Sequence, residues 1–76
     1  MAKLKLIREK KGLSQSQLSA ISGVSLRMIQ QYEQESRDIN GAKLHSLADL
    51  SLTLDCSVSD ILTDDKLIEK LKDVKL

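Results

Sequence analysis

The stretch Gln15-Ser16-Gln17-Leu18-Ser19-Ala20-Ile21-Ser22-Gly23-Val24-Ser25-Leu26-Arg27-Met28-Ile29-Gln30-Gln31-Tyr32 decides the fold. It reads as two short helices joined by a turn built on one glycine. Ser14 and Gln17 have the spacing of a capping box, in which the Ser14 hydroxyl accepts from the Gln17 amide and the Gln17 side chain reaches back to the Ser14 N–H. The first helix therefore begins at Gln15, with Leu18 and Ile21 offered to a core. Gly23 ends it, because a sharp turn needs a residue that takes positive φ without strain. Ser19, four positions before the turn, is small enough for the second helix to cross closely. Val24 is a buried candidate, and Ser25 caps the next helix. That helix runs to about Gln34, with Ile29 and Tyr32 on its inward face. Arg27, Gln30, Gln31 and Gln34 stand at offsets of three, four and seven and form one outward polar stripe.

Upstream, Ala2 to Lys11 favours a helix with Leu4, Ile7 and Lys11 along one face. Gly12 stops it after the basic pair Lys10-Lys11, which suits the negative end of the helix dipole. Downstream, Glu35–Asn40 has no apolar periodicity and reads as a loop. Asn40 is the expected cap of a fourth helix from Gly41 to Leu54, with Leu44, Leu47, Leu50, Ser51 and Leu54 facing inward. Ser57 caps a fifth short helix, with Asp60 three residues on and Val58, Ile61 and Leu62 as its apolar residues. Asp64–Leu76 carries Leu67, Ile68, Leu71 and Val74 at helical spacing and reads as a sixth helix. Packing on the core is favoured for it, with a second subunit next and fraying as the remaining alternative. The expected organisation is one compact all-α domain over 1–63 with an amphipathic helical tail over 64–76.

Composition agrees with a small helical bundle. The 76 residues contain one Tyr, no Phe, no Trp, no Pro and three Gly, so aliphatic side chains fill the core and little interrupts helices. A single cysteine, Cys56, excludes an intrachain disulfide and a cysteine-based zinc site. It reads as a packed thiol, since no pattern joins it to His45, the one histidine. Nothing approaches a signal peptide or a membrane span, so the expectation is a cytoplasmic protein associated with the nucleoid and no membrane partner. Twelve basic against eleven acidic residues give a net charge of +1, which is not the basic footprint of a typical nucleic-acid binder. Lys3, Lys5, Arg8, Lys10 and Lys11 nevertheless crowd the start, and their facing DNA would make the neutrality misleading.

Several pieces in order resemble the lambda-repressor-like helix-turn-helix family, the Cro/repressor type found in phage and bacterial regulators. They are Arg8-Glu9-Lys10-Lys11-Gly12-Leu13-Ser14-Gln15, Leu18, Gly23-Val24-Ser25, Ile29, Tyr32-Glu33, the series Leu47, Leu50, Leu54, and Val58-Ser59-Asp60-Ile61-Leu62. The resemblance covers about Leu4 to Leu62. It implies a five-helix fold whose third helix enters the DNA major groove, and a homodimer on a two-fold related site. It makes Ser25, Leu26, Arg27, Gln30 and Gln31 the base-contacting set and Gln15, Gln34, Arg37 and Lys43 the phosphate contacts.

The chemistry suits these roles. Arg pairs bidentately with guanine O6 and N7, Gln with adenine N6 and N7, and Leu26 packs on a thymine methyl. Departures from the family are Ser19 for its usual Ala, Asp55 for the Gly that ends helix four, and Gln34-Glu35-Ser36 where a turn Gly is common. Leu6 and Leu52 stand where relatives are polar. No metal cluster, phosphate-binding Gly loop or acid–base pair is legible, so neither an enzyme nor a cofactor is expected. The alternative is a protein-interaction module of the same fold, an antitoxin-like or docking partner with weak or no DNA binding.

Overall fold

The computed structural model describes residues 2–75, so the last residue of the expected tail, Leu76, lies outside the described residues. The chain is all-helical over this range: α1 (Lys3–Lys10), α2 (Gln15–Ser22), α3 (Leu26–Glu33), a 3-10 turn at Ile39–Gly41, α4 (Leu44–Leu54), α5 (Val58–Ile61) and α6 (Asp65–Leu71). Each start that a local cap dictates falls at the expected residue. Ser14 and Gln17 exchange both capping-box bonds, at 3.0 and 2.8 Å. Ser25 accepts from the Met28 N–H, and the Ser57–Asp60 box closes at the head of α5. Asp64 caps α6 by accepting from the amides of Lys66 and Leu67.

The helices close on one aliphatic core of Leu4, Leu18, Val24, Ile29, Tyr32, Ile39, Leu47, Leu50, Leu54, Ile61 and Leu62. Full burial of such a side chain is worth about 1.5–3 kcal/mol. Leu67, Ile68 and Leu71 of α6 pack against this core, whereas Val74 lies beyond the helix and is exposed.

The expectations for individual side chains need four corrections. Ile21 and Leu44 are exposed, at 63% and 57%, because α2 presents Leu18 to the core and α4 begins only at Leu44, its inward face running from Leu47. Lys11 is exposed, and the buried positions of α1 are Leu4 and Arg8. Asn40 does not cap α4. It lies in the 3-10 turn, and its side chain bonds to Thr63 and Asp64 instead. The presumed loop carries a core residue, Ile39.

Candidate nucleic-acid interface

The α2–α3 pair is set by its turn. Gly23 has φ +80°, its N–H donates to Ser19 O at 2.9 Å, and the Ser19 hydroxyl donates to Val24 O at 2.6 Å. Ser19 is thus small enough for the crossing and also ties the turn to the helix before it. Val24 then enters the core, and Ser25 starts α3 with its cap.

Beneath α3 lies an ion pair between residues far apart in sequence. Arg8 of α1 donates from Nε and Nη2 to the two carboxylate oxygens of Glu33 at 2.7 and 2.8 Å, and from Nη1 to Leu13 O at 2.8 Å. The two side chains are 10% and 3% exposed. Hydrogen bonding to Glu33 is the main reason the Arg8 pKa is raised above its usual value. Gln15 joins the network by donating from Nε2 to Glu33 Oε1 at 3.0 Å. The first residue of α2 is thereby fixed to the last residue of α3.

The expected contact residues divide into groups on this frame. Ser25, Leu26 and Arg27 are consecutive at the α3 N-terminus. Arg27 is exposed and has no side-chain partner among the described residues, whereas Leu26 is half-buried. Gln30 and Gln31 are half-buried on the same helix, and Gln34 is exposed at its C-terminal boundary. Arg37 is brought to Gln31, donating from Nε to Oε1 at 2.9 Å. Gln15 is brought to α3 through Glu33. Lys43 stands apart at the head of α4, exposed, with no hydrogen bond or ion pair to the others among the described residues. The family-like turn after Glu33 forms without glycine, with Glu35 at φ +62°.

Three of the five early basic residues lie against acidic groups. Arg8 is committed to Glu33, Lys11 approaches Asp55 at 4.0 Å, and Lys3 is close enough to Asp60 to help lower its pKa. Their crowding in the sequence therefore contributes less to a DNA-facing charge than their number suggests. Sequence reading placed Arg8 and Glu33 within the resemblance but missed that they pair. The available signal was an Arg and a Glu on two apolar-faced helices, each at a core-facing position.

Other chemistry is sparse. His45 Nε2 lies 3.1 Å from Asp49 Oδ2, one helical turn away on α4, and not beside Cys56. Burial, followed by the charge of Asp60, pushes the Cys56 thiol pKa up, so it is a poor nucleophile near neutrality. Among the described residues, no cluster of His, Cys, Asp or Glu is arranged to hold a metal ion, and no helix is long and apolar enough to cross a membrane.

A family model described as helix-turn-helix matches residues 4–61. No curated protein matches the chain.

Proposed function

The chain belongs to the lambda-repressor-like helix-turn-helix family of DNA-binding regulators, and on that premise we propose that it is a sequence-specific transcriptional regulator reading the major groove with α3. The observation carrying this reading is the outward face that begins at Ser25-Leu26-Arg27 and continues through Gln30 and Gln31, with Arg27 exposed and unpartnered among the described residues. Residues at the start of a recognition helix are those that reach base edges. Arg27 supplies a fork suited to guanine, and Leu26 an apolar contact for a thymine methyl. Gln15, Gln34, Arg37 and Lys43 contact phosphates and fix the register. Gln15 retains its second amide N–H for this after donating one to Glu33.

The protein acts in the cytoplasm, on the nucleoid, as a homodimer on half-sites one helical turn apart, about 34 Å. Selection from a random duplex library followed by fluorescence anisotropy tests the proposal. The expected result is salt-dependent binding to an enriched two-fold sequence, weakened in the Arg27→Ala/Gln31→Ala double variant by roughly 1–3 kcal/mol for each bidentate contact removed. Enrichment of no sequence, or an unaffected double variant, overturns it.

An apolar groove of about 300 Å³ between α4, α5 and α6, bordered by the exposed Leu44, favours the second reading, a protein-interaction module. Co-purification of a stoichiometric partner without DNA binding would decide for it.

A further inference from the structure

Gln31 is the point on which the segment after α3 folds back. Its backbone carbonyl accepts from the Ser36 N–H at 3.0 Å, the Arg37 N–H at 3.3 Å and the Ser36 hydroxyl at 3.3 Å. Glu35, at φ +62°, gives the chain the reversal this requires. The result is that Arg37 is delivered to the Gln31 side chain, where Nε donates to Oε1 at 2.9 Å. The amide orientation is chemically determined, because a guanidinium has only donors and must face the oxygen of the amide. Arg37 makes no ion pair among the described residues.

This changes what Gln31 offers to a base. A free glutamine reads adenine with both ends, Oε1 accepting from N6 and Nε2 donating to N7. Here Oε1 is engaged by a cation, and the neighbouring positive charge opposes approach of the N6 amino donor. The Nε2 donors remain, and guanine alone presents two acceptors, N7 and O6, on its major-groove edge. We infer that Arg37 is a specificity-determining positioning residue, which by holding Gln31 Oε1 biases Gln31 towards guanine over adenine. This rests on the DNA-reading role proposed above. The Nη groups of Arg37 remain for a phosphate, so the same side chain links a backbone contact to a base contact.

The test has one arm without DNA and one with it. In the free protein, NMR should find the Arg37 Nε–H exchanging more slowly than that of Arg27, with the difference erased by Gln31→Ala. Equal exchange rates overturn the pairing. On the selected duplex, wild-type protein should favour guanine over adenine at one step by about tenfold. Arg37→Ala should remove that preference, and Arg37→Lys, which keeps the charge but lacks the planar fork, should retain only part of it. Gln31→Ala should abolish it too, with no further change when combined with Arg37→Ala.

A uniform loss of affinity for every sequence in Arg37→Ala, with the salt slope reduced by about one and the base preference intact, makes Arg37 a phosphate contact only and overturns the inference. If selection enriches no duplex, the DNA-reading role fails and takes this inference with it. If duplexes are enriched and Arg37→Ala keeps the preference, this inference fails alone.

Discussion

Two left-handed residues bracket α3, Gly23 before it and Glu35 after it, and they meet the same geometrical demand by different means. At Gly23 the residue type suffices. A Cβ built there would meet nothing within 4 Å, so glycine is required for its φ of +80° and not for space. At Glu35 the side chain opposes the conformation, and the turn is held by the bonds that Ser36 and Arg37 make to the Gln31 carbonyl. The first turn is therefore set by the intrinsic preference of one residue. The second depends on hydrogen bonds that also shape the proposed reading surface.

The largest effect is expected from removing the buried ion pair beneath α3. Arg8→Ala leaves the Glu33 carboxylate buried with Gln15 as its remaining side-chain partner, and should cost about 3 kcal/mol in urea denaturation. A loss under about 1 kcal/mol would mean that the pair behaves as a surface one. Gly23→Ala should cost about 1–2 kcal/mol by the same assay, all of it conformational because the space is open. Glu35→Gly should change stability by less than about 0.5 kcal/mol, since relief of strain is offset by the loss of the Glu35 side chain's own interaction and by a more flexible unfolded chain. Equal and opposite effects at the two positions would erase the distinction drawn between the turns.

The smallest effect serves as a control outside α3, at the cap of α5. The backbone N–H of Ser57, then its hydroxyl, lowers the Asp60 pKa below the ordinary carboxylate value. A depressed carboxylate stabilises the fold above its unfolded pKa, and that contribution is lost as pH falls through the folded one. Titration by NMR should therefore give Asp60 a midpoint below that of a free aspartate. The cap bonds should weaken only in that acid window.

What was legible in the sequence follows the reach of the interactions. Ser14–Gln17, Ser25–Met28 and Ser57–Asp60 are bonds across three residues, so spacing alone locates them. Gly23 announces a turn through its chemistry. Glu35 carries no such sign, because its conformation is imposed by bonds to Gln31 that no propensity encodes. The Arg8–Glu33 pair joins residues 25 apart, and Arg8 alone reads as one more basic residue at the start of the chain. Ile39 is a lone apolar residue in a polar stretch, without the periodicity that would mark it as core. Within the proposed surface, sequence named Gln15 and Gln31 among the contact residues but did not show that both are already held by neighbours.

The Asn40 side chain bears on how the molecule can be cut. Its Nδ2 donates to Thr63 Oγ1 at 2.8 Å, and its Oδ1 accepts from the amides of Thr63 and Asp64 at 2.9 and 3.0 Å. These bonds straddle the junction between 63 and 64 at which a domain and a tail would be separated. A fragment trimmed there would lose the Asp64 amide from the Asn40 clasp as well as the cover of Leu67, Ile68 and Leu71. The segment following the proposed reading helix would then become the new site of protease attack. For anyone dissecting or fusing this protein, the safe seam lies beyond α6.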